Sequence, residues 1–207
     1  MIPGLFGLLF LLFLLFLPLL AVFLFLRLVT ISFVKLGVPP WAVLLLFSLC
    51  LLGSLINIPV WYDFPTPPAF YFTPPSIYGR VIAVNLGGCV IPSLLALFVL
   101  RRARLPQTLV AVGLVTLISY LIATPTPGVG ITMPFFITPL TSAAVALVLT
   151  RGRSAAPVAY VSGVFGTLIG ADLMHLSDLP MIGVLSIGGA GVFDGIFLTG
   201  IIAAFLS

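Results

Sequence analysis

From Gly4 to Leu26 the chain carries no charged and no hydrogen-bonding side chain, only Leu, Phe, Val, Ala, Gly and one Pro. About 20 such residues suffice to carry a helix across the ~30 Å hydrocarbon core of a bilayer. Similar apolar runs recur to the end of the chain. Only 6% of residues are charged, against roughly 25% in a soluble domain. In lipid every backbone N–H and C=O must be bonded inside the protein, so helices are the expected spanning element. The expectation is an all-α membrane protein, residues 1–207 forming a single polytopic membrane domain with the lipid bilayer as its first partner.

Seven apolar segments can be placed. The first, Gly4 to Leu26, has no basic residue ahead of it and exceeds a signal-peptide core in length, so it is expected to be retained. The second runs from about Trp41 to Val60. Residues 61–80 contain prolines at 65, 67, 68, 74 and 75 among aromatic residues, which predicts a flap at the membrane surface rather than a helix. The third segment is Val81 to Leu100 and the fourth about Thr108 to Ala123. An uncharged Pro/Gly turn at 124–134 reads as re-entrant. Segments five (Phe135 to Thr150), six (Pro157 to Leu176) and seven (Gly188 to Ser207) complete the count.

The basic residues alternate with these segments. Arg27, Lys35, Arg101, Arg102, Arg104, Arg151 and Arg153 fall after segments one, three and five; Arg80 is the eighth and falls on the other side. The positive-inside rule then puts the N-terminus outside and the C-terminus in the cytoplasm, in the cell (inner or plasma) membrane. So few basic groups, placed between apolar runs, exclude nucleic acid as a partner.

The chain has four acidic residues and one histidine. Asp172, His175, Asp178 and Asp194 lie in the last forty residues or so, and Asp63 is alone in the flap. A carboxylate inside a membrane segment is costly and marks a functional site by default. Asp172 near the end of segment six and Asp194 near the start of segment seven would lie at matching depth. Asn57, Asn85, Tyr120 and His175 fall at the same outer level and are expected to line an outward-facing cavity with them. Gly166 and Gly170 form one GxxxG, and Gly191 and Gly195 another; this spacing lets helix backbones approach closely and would bring the aspartates together. Asp178 and Asp63 read as turn and loop residues. Cys50 and Cys89 read as small buried hydrophobes.

Two adjacent carboxylates cannot both ionise cheaply, so the pair is expected to share a proton. That arrangement serves acid–base hydrolysis. Gly191-Val192-Phe193-Asp194-Gly195-Ile196-Phe197-Leu198 resembles the GxGD motif of the intramembrane aspartyl proteases of the presenilin and signal-peptide-peptidase type. The resemblance implies Asp194 and Asp172 as a catalytic pair acting on membrane-embedded peptides. Phe193 stands where that motif has its second Gly, and Ala171 where the partner motif has a Tyr. The whole chain also resembles a family of uncharacterised prokaryotic multi-pass membrane proteins.

Three other readings use the same residues. Acids in an outward cavity also serve as proton or cation sites of a transporter, with dimerisation to a homo-oligomer supplying symmetry. Asp172, His175 and Asp194 could offer three ligands to a metal, although no cofactor or metal is the leading expectation. A purely structural role would use the aspartates to hold helices together.

Overall fold

The computed structural model describes residues 3–63, 80–126, 130–178, 183–189 and 193–207. Most of the 61–80 flap, the tip of the 124–134 turn and Gly191 lie outside the described residues. Among the described residues there are seven α-helices: α1 (Pro3–Lys35), α2 (Pro40–Gly53), α3 (Ile91–Leu100), α4 (Leu105–Ile122), α5 (Ile137–Thr150), α6 (Ala155–Thr167) and α7 (Gly195–Leu206). Stretches long and apolar enough to cross a membrane are Leu9–Lys35, Leu105–Ile122 and Ala155–Asp178. The other apolar helices are shorter.

The expectation of an all-α chain needs correcting. Strands β1 (Asn57–Asp63), β2 (Arg80–Asn85) and β5 (Gly183–Ile187) form one sheet in the order β1-β2-β5. β1 and β2 are antiparallel, with Asn57 opposite Asn85 and Asp63 opposite Arg80; β2 and β5 are parallel. Strands β3 (Thr124–Thr126) and β4 (Gly130–Thr132) form a small hairpin where a re-entrant turn was expected. The last four residues of segment two, Asn57 to Val60, and the first part of segment three, Val81 to Asn85, are therefore strand, not helix. The run Val81-Ile82-Ala83-Val84 is apolar and rich in β-branched residues, and such a short run suits a strand as well as a helix. It lies between β1 and β5, the latter about a hundred residues away, and that pairing on both edges decides the outcome.

α1 also departs from expectation. It continues without a break through Pro18 and Arg27 to Lys35, 33 residues in all, or roughly 50 Å. Its N-terminal half is exposed from Leu9 to Leu20, whereas Val29, Phe33 and Leu36 are buried. Arg27 therefore lies within a helix, with its guanidinium over the Phe23 ring.

α6 is the centre of the bundle. Every residue from Ala155 to Val164 is buried. It packs on α4, α5 and α7, with Tyr160, Phe197, Ile196 and Ile201 among the largest fully buried side chains. α6 and α7 run antiparallel and cross where two glycines meet: a Cβ on Gly163 would lie 3.3 Å from Gly200 Cα, and one on Gly200 2.7 Å from Val164 Cγ2. Interhelical hydroxyl pairs bind the same interior: Thr138 with Thr199 at 3.1 Å, and Ser142 with Ser162 at 2.8 Å. Among lipid-facing helices such small residues and hydroxyl bonds replace the hydrophobic driving force.

Candidate functional site: an aspartate pair at a π-helical turn

The site begins with the end of α6. From Leu168 to Leu173 the helix widens into a π-helical turn, closed by Met174 N–H donating to Ile169 C=O at 3.0 Å. Gly170 lies in this turn against α4; a Cβ there would be 2.2 Å from Thr116 O. Single π-turns inserted in α-helices often mark functional sites. Asp172 is on this turn, partly buried.

Asp194 is positioned differently from the sequence expectation. It does not lie several residues into a helix. It is the N-cap of α7, with extended backbone, and its Oδ1 accepts a hydrogen bond from Ile196 N–H at 2.9 Å. That bond and the positive end of the helix dipole offset part of the cost of placing a carboxylate there. Thr167 packs against Gly195, with Cγ2 3.7 Å from where a Cβ would stand. Asp172 is five residues beyond Thr167 and Asp194 one residue before Gly195 on the antiparallel element, so both acids lie on the same side of the Thr167–Gly195 contact. They are close enough to interact electrostatically, and the Cys89 thiol lies within electrostatic range of both.

Cys89 arrives through a second π-helical turn, Leu86–Val90, between β2 and α3. Asn85 caps it. Its Oδ1 accepts from Gly87 N–H at 3.0 Å and Gly88 N–H at 2.8 Å, while its Nδ2 donates to Ser54 O at 2.8 Å and Asn57 Oδ1 at 3.0 Å. Both donors and both acceptor positions of the amide are used, and the residue is fully buried. Ser186 of β5 also donates to Asn57 Oδ1. Asn85 and Asn57 therefore act as a joint between α2, the sheet and the π-turn; both were expected to line a cavity, and Asn85 is instead buried while Asn57 is exposed. The glycines make the joint possible: a Cβ on Gly87 would fall 1.9 Å from Cys50 O, and one on Gly188 would fall 2.7 Å from Cys89 N. Cys50 and Cys89 are both buried and free.

His175 and Tyr120 form a separate pair. The imidazole is buried, stacks on the Tyr120 ring at 4.8 Å between centroids, and approaches Gly170 O and Ala171 O with Nδ1 at 3.1 and 3.0 Å. Both neighbours are acceptors, so Nδ1 carries the proton. This arrangement ties His175 to the π-turn carbonyls and to α4. Among the described residues no group of three or more His, Cys, Asp or Glu side chains could hold a metal, so Asp172, His175 and Asp194 do not converge as a ligand set. His175 is engaged on the α4 side, and Asp194 belongs to the start of α7.

The glycine expectations divide. Gly166 and Gly170 do permit close packing, but with α4: a Cβ on Gly166 would lie 2.5 Å from Val115 Cγ1. Gly195 has ordinary space around it, its nearest neighbour being Met133 Sδ at 3.4 Å. Gly191 is outside the described residues. Asp178 is exposed in a 3-10 turn, with Ser177 Oγ donating to its Oδ1 at 3.3 Å. Arg80 reaches from β2 to Leu176 O at 2.7 Å and fastens the sheet to the end of the α6 extension. Cys50 and Cys89 are the small buried side chains expected from the sequence.

The arrangement places two acids on neighbouring elements and orients one of them, Asp194, through a backbone amide. No curated protein and no solved structure matches the chain significantly. A family match covers residues 51–206, a span that takes in both π-turns, the sheet and both aspartates. On that match the chain belongs to the family described as "Protein of unknown function (DUF1614)".

Proposed function

We propose that this is a multi-pass membrane protein whose Asp172–Asp194 pair binds and releases a proton, or a small cation in its place, within the bilayer. The observation that carries the reading is the placement of two acids on neighbouring elements of an apolar bundle, Asp172 on the π-turn that extends α6 and Asp194 at the cap of α7, where Thr167 meets Gly195. Two unprotonated carboxylates at this range repel, and one shared proton or one bound cation removes most of that repulsion. The Ile196 amide holds Asp194 in a fixed orientation, so Asp172, on the wider π-turn, is the partner free to adjust. In this reading all seven helices lie in the membrane, the short ones reaching only part of the way, and the sheet and hairpin lie at its outer side, where the exposed strand β1 can meet water at the membrane surface. The basic connections face the cytoplasm, the N-terminus lies outside and the C-terminus inside, in the cell membrane.

Uptake into proteoliposomes under an imposed pH or cation gradient tests this. Asp172→Asn and Asp194→Asn should each abolish it, and unchanged uptake in both folded variants refutes the reading.

A second reading is hydrolysis of membrane-embedded peptides. It is favoured by the order of the two acids, one closing α6 and one opening α7 ahead of Gly195-Ile196-Phe197-Leu198. One carboxylate would activate water while the other protonates the leaving amine. Cleavage of a membrane-embedded reporter that persists in both Asn variants removes this alternative.

A further inference from the structure

The end of the bundle opposite the aspartates gathers the α1–α2, α3–α4 and α5–α6 connections. Lys35 Nζ, at the end of α1, donates to Phe205 O and Ser207 O at 2.6 and 2.7 Å. Arg102 Nη1 donates to Leu36 O at 3.0 Å and occupies the space over Gly37, so the α3–α4 and α1–α2 connections touch. Ala103 packs with Ala155, Ala146 and Ala203 in one cluster, which brings in the α5–α6 connection and the end of α7. α4 and α6 run parallel, since Gly166 meets Val115 and Gly170 meets Thr116. Arg104, just before α4, and Arg153, just before α6, therefore stand at the same level.

The basic side chains at this end divide into two kinds. Lys35 and Arg102 are occupied by backbone carbonyls at helix C-termini, where cations are favoured. Arg101, Arg104, Arg151 and Arg153 are exposed. The four aspartates stand elsewhere: Asp63 is on β1, and Asp172, Asp178 and Asp194 belong to the other end. Next to these arginines the surface turns apolar at once. Leu97, Leu105, Leu109 and Val148 are all exposed. A ligand that fits both surfaces is anionic at one end and hydrocarbon at the other.

We propose that Arg101, Arg104, Arg151 and Arg153 bind the phosphate headgroups of anionic phospholipids, whose acyl chains lie along the exposed leucine and valine faces of α3, α4 and α5. Arginine suits the task because its planar fork pairs with phosphate oxygens in two places at once. A basic residue near an anionic leaflet contributes about 1 kcal/mol, which is about fivefold in affinity. The proposal is independent of what the aspartate pair does.

The test is a lipid titration of the full chain in mild detergent, read as bound lipid by native mass spectrometry and as the shift in Tm. Phosphatidylglycerol should bind more tightly than phosphatidylcholine by tenfold or more and should raise Tm. Arg104→Gln and Arg153→Gln should each weaken phosphatidylglycerol binding about fivefold, and the four-fold Gln variant should bind both lipids alike. Equal binding of the two lipids by the unaltered protein overturns the proposal without reference to any variant. So does an equal rise in Tm with inorganic phosphate alone, which would make the site one for a soluble anion.

Discussion

Replacing Asn85 with Ala separates a structural joint from a cavity wall. Truncation removes the acceptor for Gly87 N–H and Gly88 N–H, and the donor to Ser54 O and Asn57 Oδ1. Asn57 retains Ser186 as a donor, so its loss is partial. The two amides are buried with their residues, and a buried donor left without an acceptor costs about 1–3 kcal/mol. The two together give about 2–6 kcal/mol, a large share of the ~5–15 kcal/mol that holds a typical domain together. The measurement is thermal or denaturant unfolding in detergent of the unaltered protein and of Asn85→Ala. Asn85→Asp is the informative companion: it keeps the acceptor for both glycine amides but sets an oxygen against the acceptors Ser54 O and Asn57 Oδ1 in a buried site, so it should not recover the stability of the unaltered protein. If Asn85 instead faced water in an open cavity, solvent would replace every bond and the Ala variant would lose less than about 0.5 kcal/mol. A loss that small would refute the joint.

Three further outcomes follow from the same geometry. Gly170→Ala drives a Cβ to 2.2 Å from Thr116 O and should destabilise by about 1–3 kcal/mol, whereas Gly195→Ala meets only Met133 Sδ at 3.4 Å and should be neutral or stabilising by about 0.4–1 kcal/mol; unfolding midpoints of the two variants compare them directly. Asp194→Ala removes the α7 cap and should cost about 1 kcal/mol, while Asp194→Asn keeps a capping oxygen and should stay within a few tenths, so the Asn variant reports on charge alone in any functional assay. Ser32→Ala removes the Ser32 Oγ to Ile201 O bond between α1 and α7 at 2.9 Å and should lower stability by about 0.6 kcal/mol in unfolding titrations, in line with hydroxyl bonds between membrane helices.

The apolar runs and the scarcity of charge were enough to read a helical protein suited to lipid, because the cost of leaving backbone groups unbonded in hydrocarbon leaves few alternatives. The grouping of basic residues was legible for a similar reason: a charge is costly in lipid wherever it falls, so Lys35 and the two arginine clusters mark helix ends without any knowledge of packing. The aspartates stood out on the same ground.

Tertiary structure settled what short apolar runs leave open. Val81 to Asn85 reads as well in a helix as in a strand, and pairing with Asn57–Asp63 on one side and Gly183–Ile187, far along the chain, on the other makes it β. Both GxxxG pairs look alike in sequence, yet Gly166 and Gly170 meet α4 while the α6–α7 crossing falls on Gly163 and Gly200. Asp194 looked like an acid inside a helix and is the cap that begins one. Asn85 looked like a polar lining and is a saturated joint. Spacing along one helix says which residues share a face; only the neighbouring backbone says what that face meets, because close contact depends on atoms contributed by distant parts of the chain.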